Sequence, residues 1–224
     1  MSNFINNYDL FIFDLDDTII KTEIFHYNSW LTILKEELGH DFYIDYNTFI
    51  SKFHSNKKDS IKYYLIEELK IVDYENTIEK KNKLYLVTIK REQGNLKLID
   101  GISELLENII NSNKKFVFVS NSLKSNIDFF SDLFPILQKS SKNYYRELII
   151  NKKPDPECYL KVVKDFPNNR MVGFEDSITG IHALTQVDNI DTVFINNVEY
   201  YYYTYIINNY RLNLVIKDYV CLLE

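Results

Sequence analysis

The chain has 224 residues, 46% of them hydrophobic, enough to bury a core in one or two domains. A formal net charge of −6 argues against nucleic acid or an anionic membrane as the main partner, and no apolar run is long enough to span a bilayer. The N-terminus lacks the basic-then-apolar pattern of a secretory signal, and Cys158 and Cys221 lack zinc-ligand spacing, so buried thiols in a reducing, cytoplasmic compartment are expected.

The first apolar run, Leu10–Phe13, stops at Asp14 and has the length and composition of a strand buried on both faces of a parallel sheet. From about Thr22 to Leu96 that pattern is missing. Ser29–Leu38 and Ser60–Leu69 read there as amphipathic helices, which predicts a helical insertion, a cap over the strand ends. Its hinges are expected near Ile19–Thr22 and Gly94–Asp100, giving a core of residues 1–20 and 97–224 and a cap of 21–96. Ile102–Ile110 has apolar residues at helical spacing, and Phe116–Val119 reads as a strand running into Ser120-Asn121.

Leu148–Ile150 is predicted as a further strand, leading to Lys152-Lys153, and Glu157–Val163 as a helix that starts after Pro154 and Pro156. Met171–Phe174 reads as a strand ending at Glu175-Asp176. After Gly180 come a helix, a strand at Thr192–Ile195 and a short final strand near Leu212–Ile216. Tyr200–Tyr203 and Tyr205 form an aromatic patch, either core or a dimer surface; a monomer or weak homodimer is expected. Strand-helix alternation predicts an α/β domain with right-handed crossovers. Ligands of such sheets bind outside the carboxyl ends of the strands, where all four polar clusters fall.

Each cluster has an ordinary structural reading beside a chemical one. Asp14 could cap a helix or form a turn. A calcium loop is excluded, because the sixth position is Ile19, not Gly, and the twelfth is Phe25, not Glu. As chemistry, Asp14 can act as nucleophile on phosphorus and as a metal ligand. Asp16, two residues on and on the same side of an extended chain, can act as general acid and then general base. Ser120 and the Asn121 amide could hold oxygens of a transferring phosphoryl group, or simply cap a helix. Lys153 is either solvated surface or an ammonium that offsets shared negative charge. Glu175 and Asp176 offer hard oxygen ligands suited to magnesium, with helix capping by Asp176 or Ser177 as the alternative.

With these residues in order, the chain resembles the haloacid dehalogenase superfamily of hydrolases. The family pattern DxDxT falls on Asp14, Asp16 and Thr18, its strand-end Ser/Thr on Ser120, its lysine on Lys153 and its acidic motif on Glu175 and Asp176. The resemblance implies a doubly wound, Rossmann-like parallel sheet with an inserted helical cap. It also implies Mg²⁺ held by the Asp14 side chain, the Asp16 carbonyl and Asp176, with Glu175 close by. Lys153-Pro154-Asp155-Pro156 and the run Gly173–Gly180 look most like the beta-phosphoglucomutase branch. So do Thr22–His26, Trp30 and Glu36–Gly39 in the cap, while Lys57–Ser60 looks like the start of its substrate loop.

Three positions depart from the pattern: Asp17 replaces a usual glycine, Lys21 a frequent acid near the hinge, and Lys57 the arginine that grips a second phosphate in the mutases. Lysine there is a point charge, not a fork. The resemblance thus implies a phosphatase acting on a small phosphorylated metabolite, with Asp14, Asp16 and Lys153 catalytic. Thr18, Ser120, Asn121, Lys57 and His26 would bind substrate. A phosphomutase, a dehalogenase and a catalytically silent binding protein are the alternatives.

Overall fold

The computed structural model describes residues 3–53, 58–196 and 203–223. The chain divides into two compact units, one of residues 1–21 and 97–224, the other Thr22–Leu96. In chain order, helix α1 (Asn3–Asn6) precedes strand β1 (Leu10–Phe13). Among the described residues of the second unit the helices are α2 (Glu23–Leu38), α3 (Tyr46–Phe53), α4 (Lys58–Tyr63, continued by a π-helical turn over Tyr64–Glu68) and α5 (Tyr74–Arg91). The first unit resumes with α6 (Ile102–Asn111), β2 (Lys115–Val119), α7 (Lys124–Leu133) and β3 (Lys142–Tyr144). It ends with α8 (Glu157–Asp165), β4 (Met171–Glu175), α9 (Ile178–Leu184), β5 (Ile190–Ile195), α10 (Tyr203–Asn209) and β6 (Leu214–Ile216).

The six strands form one parallel sheet in the order β3-β2-β1-β4-β5-β6. Helical crossovers are what a parallel sheet requires, and here the strand order reverses at β1, the doubly wound arrangement whose ligands sit at that switch point. The register is what aligns the chemistry. Phe13 pairs with Phe118 on one side and Phe174 on the other, so the residues after them leave the sheet at one level. The Asp14 amide donates to the Phe174 carbonyl at 3.0 Å and the Ser120 amide to Tyr144 at 2.9 Å, which carries the ladder up to the site.

Alternation along β1 sorts two different cores. Leu10 and Ile12 join Val117, Val119, Tyr159, Val162, Leu184 and Ile190 in a largely aliphatic cluster under α8 and α9. Phe13 faces the other way and stacks on Phe174 with ring centroids 4.6 Å apart, while Phe116 and Tyr219 meet it edge-on. Gly173 marks where α9 crosses closest, since a Cβ there would meet the Leu184 methyls at 2.6 and 2.8 Å.

One strand expectation is wrong. Leu148–Ile150 is no strand: Arg146–Leu148 is a 3₁₀ turn, and Ile150 is 87% exposed. The amides of Ile150 and Asn151 donate to the Glu157 carboxylate, at 3.0 and 2.7 Å, instead of to a neighbouring strand. The real strand is Lys142–Tyr144, a short polar edge segment with no apolar run to announce it. Between Thr22 and Leu96 the described residues hold helices and no strand. Both linkers to that unit are pinned within the first unit: Lys21 N–H donates to the Lys97 carbonyl and Ile99 N–H to Ile19. Of the tyrosine patch, residues 200–202 lie outside the described residues. Tyr203 packs against the small cluster of Ile181, Phe194 and Ile206, and Tyr205 is exposed.

Candidate active site

Lys153 is the centre of the site. It enters through a cis Lys153-Pro154 peptide just before α8, and its side chain is buried. The ammonium uses all three donors: Asp14 Oδ1 at 2.6 Å, Glu175 Oε1 at 2.5 Å and the Val119 carbonyl at 2.7 Å. Burial works against the charged amine, but Asp14 and Glu175 outweigh it and hold Lys153 protonated, above lysine's ordinary value. A further pair of bonds fixes its backbone. Lys153 N–H donates to Asn121 Oδ1 at 3.2 Å, and Asn121 Nδ2 donates back to the Lys153 carbonyl at 3.4 Å. The Asn121 side chain thus ties down the lysine loop, while its backbone amide is the group expected to meet phosphoryl oxygens.

Glu175 is fully buried at the end of β4, and the Tyr159 hydroxyl of α8 also donates to its Oε1. The neighbouring Cys158 thiol is pushed up to about 12 by burial, so it is an inert core group. Asp16 is half-buried beyond β1, where Ser122 Oγ donates to its Oδ2 at 2.7 Å. Ser122 N–H in turn donates to Ser120 Oγ at 3.0 Å, so the segment after β2 serves both Asp16 and the strand-end serine. Thr18, expected as a substrate contact, is fully buried and donates its hydroxyl to Asp176 Oδ1 at 3.0 Å. Asp17 has φ 54, in the left-handed region, which is why a glycine is natural there and why a short acidic side chain can replace it.

Asp14, Glu175 and Asp176, all buried, each place a carboxylate oxygen within 4.8 Å of the other two. Lys153 donates to two of these three carboxylates, Asp14 and Glu175. Burial pushes the Asp14 carboxyl well above its ordinary value; Lys153 pulls it back, and Glu175 adds to the rise. Three clustered carboxylates, all hard oxygen donors, fit a small divalent cation.

In the helical unit, His26 belongs to a separate cluster. Its ring stacks on Tyr85 at 3.9 Å, and its Nδ1 lies 2.7 Å from the Nζ of Lys81, which is itself buried. Lys81 also stands 5.6 Å from the centre of the Trp30 ring and 5.2 Å from that of Tyr85. Lys57 lies outside the described residues.

Five residues were not foreseen: Ser122, Tyr159, Tyr219, Lys81 and Tyr85. Ser122 stood in plain sight, two residues past Ser120 at the period of an extended chain. Tyr159 and Lys81 sit on helices where aromatic and basic residues read as core and solvated face. The Tyr219 hydroxyl reaches the Thr18 carbonyl from 201 residues away, a contact no local pattern announces.

Comparison with known proteins agrees with this geometry. The family model for haloacid dehalogenase-like hydrolases matches residues 11–195, a span containing every motif residue named above. No curated protein matches the chain. Among solved structures it is similar to a HAD hydrolase of family IA, variant 3, from Entamoeba histolytica, with 22% identity and TM-score 0.76 over 94% of this chain and 93% of that one. A candidate beta-phosphoglucomutase of Thermotoga maritima aligns with 19% identity and TM-score 0.68, over 93% and 94% of the two chains. A predicted phosphoglycolate phosphatase of Haemophilus somnus aligns with 15% identity and TM-score 0.75, over 97% of each. The folds are shared, and the family match adds the motifs: this chain belongs to the haloacid dehalogenase-like hydrolase family.

Proposed function

We propose that the protein is a Mg²⁺-dependent phosphatase that hydrolyses a small phosphomonoester, of the sugar-phosphate kind, through an aspartyl-phosphate on Asp14. The observation that carries this reading is the buried set of Asp14, Lys153, Glu175 and Asp176 at the switch point of the sheet. An Asp14 oxygen attacks phosphorus and the ester bond breaks, while Asp16 gives its proton to the leaving alcohol. Water then attacks the same phosphorus, Asp16 takes the proton, and the bond to Asp14 breaks to release inorganic phosphate. Lys153 holds the Asp14 carboxylate in place and offsets its charge, and Ser120 would bind a phosphoryl oxygen.

Asp14 and Asp176, with Glu175 nearby and the Asp16 carbonyl that the family pattern adds, would hold the metal. Its chemistry there is charge neutralisation on the phosphoryl oxygens. The helical unit Thr22–Leu96 would act as the cap that selects the leaving group, with His26 as its candidate contact. We place the enzyme in the cytoplasm as part of this proposal; Cys158 is buried as expected of a core thiol, whereas Cys221 is exposed, and among the described residues no helix is long and apolar enough to cross a membrane.

Phosphate release from a panel of phosphomonoesters, with and without Mg²⁺ and beside Asp14→Asn, tests the proposal. Metal-dependent release lost in the variant is expected; full turnover by Asp14→Asn would sink it. The likeness to the Thermotoga protein and the sequence of Lys153–Pro156 favour a phosphomutase as the second reading. It would show as isomerised sugar phosphate accumulating in place of inorganic phosphate.

A further inference from the structure

The family match stops at residue 195, yet the chain's last segment returns to the site. Tyr219 is fully buried, and its ring lies 6.0 Å from that of Phe13 and 5.6 Å from that of Phe174. These two phenylalanines immediately precede Asp14 and Glu175-Asp176 in sequence. The Tyr219 hydroxyl donates to the Thr18 carbonyl at 2.9 Å, and Thr18 Oγ1 donates to Asp176 Oδ1 at 3.0 Å.

The segment is itself fastened. Tyr219 N–H donates to the Asp100 carbonyl at 2.9 Å. Gly101, at φ +82, lets the chain pass so closely that a Cβ there would meet Val220 N at 2.6 Å. A phenylalanine at 219 would supply the same apolar ring to the aromatic core. What the tyrosine adds is one bond, to the backbone of the residue that orients a carboxylate of the acidic cluster.

We propose that Tyr219 is a positioning residue for the metal site: through Thr18 it sets the orientation of the Asp176 carboxylate, so that the C-terminal segment is a working part of the active site. This rests on the reading of Asp176 as a metal ligand. Outer partners of metal ligands tune affinity because a ligand left to rotate must be ordered again on each binding event. Tyr219→Phe keeps the ring and removes the donor. Thr18→Val keeps the shape and removes the next donor in the relay.

The test is calorimetric titration of Mg²⁺ into the whole protein and these variants, with thermal unfolding alongside. Tyr219→Phe is expected to raise the Mg²⁺ Kd roughly 10-fold, the lower end of such effects. Thr18→Val should do at least as much, and the double variant no more than Thr18→Val alone, since both act on one relay. At saturating Mg²⁺ the KM for the best phosphomonoester should stay unchanged.

A purely structural tyrosine would lower the melting temperature and leave the Kd alone; that result would overturn the proposal, as would a wild-type protein that binds no Mg²⁺. If Tyr219→Phe does not fold, an unchanged Kd in Thr18→Val would overturn it equally. Mg²⁺ binding without hydrolysis of any ester would remove the phosphatase reading while leaving the relay standing or falling on the affinities.

Discussion

Gly180 lies against the carboxylate of Glu175 so closely that no side chain fits between them: a Cβ at position 180 would meet Oε2 at 1.9 Å and Oε1 at 2.3 Å. Lys153 and Tyr159 both donate to Glu175 Oε1, so a shift of the carboxylate would loosen those bonds. Gly180→Ala must therefore either displace α9 or push Glu175 off the lysine. The expected cost is about 1–3 kcal/mol of stability, the usual price of overpacking, together with loss of most phosphate release. Urea unfolding beside a phosphate assay checks both. Wild-type activity in Gly180→Ala would mean that Glu175 is dispensable where it stands.

Removing the ammonium from this network should hurt more than removing a surface charge. Lys153→Met would leave Asp14 and Glu175 facing each other in a buried site, and breaking one side of a buried ion pair typically costs about 3–5 kcal/mol. A ligand that binds only the folded state restores stability by mass action. Millimolar Mg²⁺ should therefore recover part of the loss in Lys153→Met, while activity stays down by about 100-fold or more. Lys153→Arg should not rescue activity, because a planar guanidinium cannot meet Asp14, Glu175 and the Val119 carbonyl as one ammonium does. Thermal melts with and without Mg²⁺ read the first effect and initial rates the second.

Far from the site, Asp9 ties the start of β1 to its neighbours. It accepts from Lys114 Nζ at 2.9 Å and from Arg170 Nε and N–H at 3.1 Å each. These bonds, those from Arg170 foremost, hold its carboxyl well below the ordinary aspartate value. A carboxyl depressed in the folded state stabilises above its unfolded pKa, about 3.9, and that contribution disappears as pH falls through the lower folded value. The cluster is partly exposed, so solvent screening keeps it to about 1 kcal/mol or less. Asp9→Asn should be less stable than wild type at pH 7, and the gap should shrink steadily below pH ~4. A gap that stayed constant down to pH ~2 would show that charge is not the cause.

The sheet was legible in the sequence where both faces of a strand are buried. Leu10–Phe13, Phe116–Val119 and Met171–Phe174 are near-continuous apolar runs because helices or aromatic packing cover each side, and the motif residues follow directly. At the sheet edge the rule failed in both directions. Lys142–Tyr144 pairs with β2 through exposed Lys142, half-buried Asn143 and a single buried ring, Tyr144, whereas Leu148–Ile150 is apolar but spends its amides on Glu157. The side-chain role of Asn121 could not be read for a related reason: residue type announces hydrogen-bonding capacity, and only the fold shows that the Lys153 backbone claims it. Tyr159 and Tyr219 escaped notice because each gives the core a ring and the site a hydroxyl, and sequence pattern registers only the ring.

Ser122 offers the sharpest separation of placement from chemistry. Its hydroxyl donates to Asp16 Oδ2, the carboxyl assigned to proton transfer, and its amide holds Ser120. Ser122→Ala removes the first bond and keeps the second. Asp16 would keep its carboxyl for the leaving oxygen but present it from a wider range of orientations, and a misplaced catalytic group costs rate more than binding. The expected result is a kcat lowered by about 10-fold with KM within about twofold of wild type, and stability changed by no more than about 1 kcal/mol. Ser122→Thr, which keeps the hydroxyl, should recover most of the rate. Changing the leaving group adds a second readout. An activated ester such as an aryl phosphate needs little protonation of its departing oxygen, so its hydrolysis by Ser122→Ala should fall less than that of an alkyl phosphate. An equal fall for both esters would show that Ser122 supports the site as a whole and not the acid role of Asp16.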